Sequence, residues 1–143
     1  KRQFMNRHYI IASHAHFAKG LYESVKLLVG EHADVDILNA FVDGNDDIEK
    51  EALALVDACS DNVDVVVLTD LMGGSINNEF TKLMLSRKNV YLVTNINLPL
   101  VLTLFLSNET EDTTDLLRQL VADNDVHPKF VNDVSIVEED ETF

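Results

Sequence analysis

Residues 63–69 read Val-Asp-Val-Val-Val-Leu-Thr, with four consecutive apolar side chains of which three are β-branched. Successive side chains of a strand point to opposite faces, so such a run is apolar on both. A strand of that kind is stable only when both faces are covered, as in a parallel sheet sandwiched between helices. Three further runs fit the same role: Tyr-Ile-Ile-Ala at 9–12, the β-branched stretch 35–42, and 89–94. What separates them then decides the fold class.

The separating segments have helical spacing. Apolar residues recur at Phe17, Leu21, Val25 and Leu28, with Gly30 where a helix C-terminus favours glycine. After Asp43-Gly44, a turn signal, Asn45 is placed to cap a helix whose stripe is Ile48, Ala52, Leu55, Val56 and Cys59. Ile76, Phe80, Leu83 and Met84 mark a third helix. Asn97 and Pro99 open a fourth that is apolar nearly all round. A fifth begins at Thr113 or Thr114 and turns Leu116, Leu117, Leu120 and Val121 inward. Strands alternating with helices predict an α/β fold: a doubly wound, mainly parallel four-stranded sheet flanked by helices. Residues 129–137 are a candidate for a final strand, and the acidic stretch 138–141 reads as a frayed tail.

The length of 143 residues is near that of one domain, expected over residues 5–143. Residues 1–4, ahead of Met5, read as a remnant of an expression vector. Eleven Lys and Arg against 25 Asp and Glu leave a formal charge of −14. Nucleic acid and anionic membrane are thereby excluded as partners, because phosphate contacts need Lys and Arg. Protein partners are expected to present basic surfaces. Cys59 is the single cysteine, so no intramolecular disulfide can form, and it is expected to be a buried small hydrophobe. No cluster of Cys and His suggests a metal site, and no cofactor is expected. The N-terminus has no signal-peptide pattern, and the longest mainly apolar stretch, 98–106, is too short to span a bilayer. The expected location is the cytoplasm.

Ligands of an open α/β sheet bind beyond the carboxyl ends of its strands. Three polar segments fall there: Ser13-His14-Ala15-His16, Asp70-Leu71-Met72-Gly73-Gly74-Ser75, and Asn95-Ile96-Asn97. Each leads into a helix N-terminus, where unpaired N–H groups favour an anion. Gly73 and Gly74 allow close backbone approach, and Ser75 can cap the helix or donate to a phosphate oxygen. No Lys follows the glycines and no GxGxxG is present, which excludes a P-loop and a dinucleotide fingerprint. His8, His32 and His127 fall at element edges and read as ordinary surface residues. His14 sits on the rim, and Asp70 at the end of a neighbouring strand could hold one of its ring nitrogens. The other nitrogen would then carry a free lone pair, the requirement for a histidine nucleophile.

Ile10-Ile-Ala-Ser-His14-Ala-His-Phe-Ala-Lys-Gly-Leu21, Leu68-Thr-Asp-Leu-Met-Gly-Gly-Ser75 and Thr94-Asn-Ile-Asn-Leu-Pro99 together resemble three active-site segments of one family. That family is the mannose-type enzyme IIA component of the bacterial phosphoenolpyruvate-dependent sugar phosphotransferase system (PTS). The resemblance implies that His14, not His16, is the phosphorylated histidine. It makes Asp70 the hydrogen-bonding partner of His14, and Gly73, Gly74 and Ser75 the phosphate-binding segment. It further implies a phosphotransferase that receives its phosphoryl group from the phosphocarrier HPr and passes it to a histidine of enzyme IIB. The membrane components IIC and IID would act downstream, and the chain would form a homodimer in which residues 129–137 are exchanged between subunits. Ala15 stands where many members have glycine, and Ile76 where many have proline. Other readings remain beside this one. They are the phosphocarrier subunit of a dihydroxyacetone kinase, a regulatory module switched by His14 phosphorylation, and a static anion-binding module.

Overall fold

The computed structural model describes residues 6–32 and 34–134. Its elements alternate as expected: β1 (Arg7–His14), α1 (Phe17–Val29), β2 (Val35–Ala40), α2 (Ile48–Asp57), β3 (Asp64–Thr69), α3 (Gly74–Ser86), β4 (Val90–Val93), α4 (Leu98–Phe105) and α5 (Thr113–Ala122). The strands form one parallel sheet in the order β2-β1-β3-β4. Ile11 of β1 lies opposite Ile37 of β2 and Leu68 of β3, and Leu68 faces Val93 of β4.

The continuous apolar runs are explained by the two faces of this sheet. Tyr9 and Ile11 of β1, with Val66 and Leu68 of β3, pack under α1, α4 and α5. The alternate residues Ile10, Ala12, Val65 and Val67 pack under α2 and α3, where Phe80 is fully buried. Right-handed crossovers account for that division. The chain moves one way from β1 to β2 and the opposite way from β2 to β3 and on to β4. Hence α1 lies on one face and α2 and α3 on the other. The reversal falls between β1 and β3, and this is the topological switch point. Among the described residues, no helix is long and apolar enough to cross a membrane.

Several local expectations need correction. Asp47, not Asn45, caps α2 by accepting from Lys50 N–H at 3.2 Å; Asn45 instead donates its side-chain amide to Asn39 O. Helix α2 ends at Asp57, so Cys59 lies just past it and is half-buried, its thiol aimed at Leu55 O at 3.6 Å. In α1 the buried stripe is Ala18, Leu21 and Val25, and Leu28 is exposed, as is Val121 of α5. His32 is no ordinary surface residue. It is half-buried, with its ring against Tyr9 and Phe105.

No final strand forms over the described part of residues 129–137. A 3-10 turn, Val131–Asp133, occupies it, and residues 135–137 lie outside the described residues. A strand needs a partner edge to satisfy its backbone groups. A sequence run marks strand propensity without supplying that edge.

Arg7 was not singled out by sequence. It is buried at the foot of β1, where Nε donates to Thr113 Oγ1 at 3.0 Å and the guanidinium reaches Asn108 O and Glu111 O. Thr113 in turn donates to Asp64 Oδ2 at 2.6 Å. This network pins the start of α5 to the N-terminal ends of β1 and β3.

Candidate functional site

His14 is the last residue of β1, and Asp70 immediately follows β3, so the switch point brings together two residues 56 positions apart. Asp70 Oδ2 accepts from the His14 backbone N–H and lies 2.9 Å from His14 Nδ1; both distances are 2.9 Å. Its Oδ1 accepts from Leu71 N–H at 3.0 Å. The carboxylate is therefore oriented by two backbone donors and accepts the proton on Nδ1. In a neutral ring this selects the tautomer protonated on Nδ1 and leaves the lone pair on Nε2. The His14 side chain is 46% exposed and that of Asp70 13%, so the ring is presented to solvent from an immobilised base.

The neighbouring loops are built around glycine and left-handed backbone. Gly73 (φ 83°) and Gly74 (φ 76°) turn the chain from β3 into α3 in a conformation that a side chain disfavours. No side chain caps the first turn of α3. Its leading N–H groups are thus available to an anion, and the helix dipole adds to their field. Ser75 does not cap the helix: it is the second helical residue, and it is exposed. Gly73, Gly74 and Ser75 thus stand at the same rim as Asp70, three to five residues downstream of it.

Contacts that sequence reasoning did not assign to Ser13, Thr69 or Asn95 hold this rim in place. Ser13 is fully buried, and its Oγ accepts from Ala18 N–H at 2.7 Å, closing the first turn of α1. The Thr69 hydroxyl lies 2.9 Å from Asn77 Oδ1 and 2.8 Å from Thr94 Oγ1, which joins β3, α3 and the end of β4. Asn95 (φ 58°) uses its Oδ1 to accept from Met72 N–H at 3.2 Å, linking the third rim segment to the glycine loop. A signal for Ser13 and Thr69 was present, since each is a hydroxyl directly after an apolar run, 9–12 and 65–68. Asn97 does cap α4 as expected, accepting from Leu100 N–H at 2.9 Å.

His16, the other rim histidine, points elsewhere. Its Nε2 lies 2.7 Å from Asp43 Oδ2 in the loop after β2. Phe41 of that loop sets its ring 5.7 Å from the His14 ring at 39°. Among the described residues, no group of three or more His, Cys, Asp and Glu side chains is placed to share a metal ion.

Taken together, the site is a half-exposed imidazole held by a carboxylate, on the same rim as a glycine turn that opens a helix. Residues 8–121 match the family described as PTS system fructose IIA component. Among solved structures, a candidate phosphoenolpyruvate-dependent sugar PTS permease from Klebsiella pneumoniae is 35% identical, with TM-score 0.85, covering 93% of this chain and 96% of that one. The PTS IIA protein associated with the fucose utilization operon of Streptococcus pneumoniae is 30% identical, with TM-score 0.72 and coverage of 96% and 98%. The mannose/sorbose specific IIA subunit from Enterococcus faecalis, at 24% identity, shares the fold with TM-score 0.72 over 94% and 96% of the two chains. No curated protein matches the chain. With more than half its length matched by one family and its fold shared with that family's solved members, the chain belongs to the mannose/fructose-type IIA components of the sugar phosphotransferase system.

Proposed function

We propose that His14 accepts a phosphoryl group from phosphorylated HPr on Nε2 and hands it to a histidine of enzyme IIB, in the cytoplasm, during sugar uptake. The observation that carries this reading is the Asp70 Oδ2 contact to His14 Nδ1 at 2.9 Å. In the forward step the Nε2 lone pair attacks phosphorus while the P–N bond to the donor imidazole breaks. The donor nitrogen keeps that electron pair. Nδ1 retains its proton throughout, so phosphorylated His14 carries an imidazolium charge that the Asp70 carboxylate offsets. The first-turn N–H groups of α3 and the Ser75 hydroxyl meet the equatorial oxygens of the transferring group. Onward transfer to IIB is the same exchange run from the other side. Such chemistry relies on positioning and charge stabilisation more than on covalent help from the protein.

A homodimer is part of the proposal. Strand β4 ends the described sheet, and an apolar groove of about 320 Å³, lined by Leu92, Leu117 and Val121, runs beside it. A second copy docking there would bury this surface, and analytical ultracentrifugation reads the result directly.

The test of transfer is intact-mass analysis after incubation with phosphoenolpyruvate, enzyme I and HPr. The expected end point is one acid-labile phosphate on wild type and on His16→Ala, and none on His14→Ala. An unmodified wild type, with the upstream proteins active on a control acceptor, would remove the phosphocarrier reading and favour a static anion site.

A further inference from the structure

The end of β2 and the loop after it are tied to the His14 loop at two places: Ala15 N–H donates to Ala40 O at 2.9 Å, and His16 Nε2 meets Asp43 Oδ2 at 2.7 Å. Within its own turn, Asn45 donates its side-chain amide to Asn39 O at 3.0 Å. Within four residues the loop places three in the left-handed region: Phe41 (φ 69°), Asp43 (φ 56°) and Gly44 (φ 82°). Aromatic residues rarely adopt this backbone, so a left-handed Phe41 must be held there by its surroundings. Burial does not hold it, because Phe41 is 46% exposed. What the conformation achieves is the placement of its ring against the face of His14, 5.7 Å between centroids.

We infer that the His16–Asp43 pair is a clasp whose function is to hold Phe41 against His14. His16 and Asp43 are accordingly positioning residues for transfer. The inference rests on His14 being the phosphoryl acceptor. Asp70 fixes the His14 ring through Nδ1 and leaves rotation about that contact unrestrained. The Phe41 ring restricts this rotation from one side and shields that face of the imidazole from water. Nε2 is then aimed by two contacts instead of one. The His16 and Asp43 side chains are 56% and 63% exposed, and exposed pairs of this kind contribute little to global stability. Their effect is therefore on which loop conformation is populated, not on whether the chain folds.

The test compares wild type with Asp43→Ala, His16→Ala, His16→Gln and Phe41→Leu by two readouts. The first is the ring-proton chemical shifts of His14 by NMR, which the nearby Phe41 ring current displaces. The second is the rate of transfer from phosphorylated HPr, resolved into its limiting rate and KM. Asp43→Ala is expected to move the His14 shifts toward those of Phe41→Leu. It should lower the limiting rate by about tenfold, as misplacement of a reacting group does, with the thermal midpoint nearly unchanged. His16→Gln, which keeps an N–H donor near the position of Nε2, should restore most of the rate lost in His16→Ala. Wild-type His14 shifts and limiting rate in Asp43→Ala would overturn the clasp, and so would a loss confined to KM. If wild type takes no phosphate at all, the phosphocarrier reading fails, while the NMR comparison still decides whether the clasp holds Phe41.

Discussion

Asp70→Asn is the substitution that separates charge from shape at the site. Asp70 Oδ2 serves both His14 N–H and Nδ1 at 2.9 Å, and Oδ1 accepts from Leu71 N–H. An asparagine that keeps its oxygen toward His14 must point its amide group at the Leu71 N–H, donor against donor. The flipped asparagine moves that clash to the His14 backbone N–H and donates to Nδ1, which drives the ring proton to Nε2 and removes the nucleophilic lone pair. Even in the better orientation the charge is gone. A charge-assisted bond exceeds a neutral one by about 1–1.5 kcal/mol. Unit charges about 4 Å apart interact by about 1 kcal/mol in water and about 4 kcal/mol near a protein surface. These are two measures of one interaction and are not summed. The 46% exposure of His14 keeps the effect toward the lower end. A loss of about 1.5–2 kcal/mol in the transition state corresponds to roughly 10- to 30-fold in rate. Rapid-quench measurement of labelled phosphate moving from phosphorylated HPr to His14 reads this directly, with circular dichroism confirming the fold. A rate within threefold of wild type would refute the role assigned to the carboxylate.

Two predictions concern stability. Thr113→Val keeps the shape of the buried residue but cuts the link from Arg7 Nε through Thr113 Oγ1 to Asp64. It should cost roughly 2–3 kcal/mol, seen as a lower urea midpoint with unchanged slope; a loss below 0.5 kcal/mol (about the scatter of neutral surface changes) would contradict the network's importance. Burial raises the Tyr9 phenol, against a smaller lowering from Arg7, and raises the Cys59 thiol. Both groups hold their protons longer folded than unfolded, so their stabilisation is complete below the unfolded values, about 8.5 for thiol and about 10 for phenol, and is lost as pH rises through the raised ones. The urea midpoint should therefore fall progressively above about pH 9, and a midpoint constant to pH 11 would count against burial as the cause.

The sequence by itself determined much of this protein. Apolar runs at 9–12 and 65–68 required a sheet covered on both faces, and the structure divides Ile10 from Ile11 and Val67 from Leu68 accordingly. Helical periodicity, with the Asn97 and Pro99 start signal for α4, located the five α-helices of the described residues, and the rim motifs made His14, Asp70 and the glycine loop candidates. These features were legible because they arise from local geometry, the period of a strand or helix and the φ that glycine permits. Tertiary structure decided what depends on which elements become neighbours. Strand order placed β3 beside β1 and so put Asp70 on His14 Nδ1, fixing which nitrogen is free. It joined Arg7 to Thr113 across 106 residues and His16 to Asp43 across 27, pairings that no periodicity encodes. It also left residues 131–133 as a 3-10 turn, because strand propensity becomes a strand only where an edge accepts its hydrogen bonds.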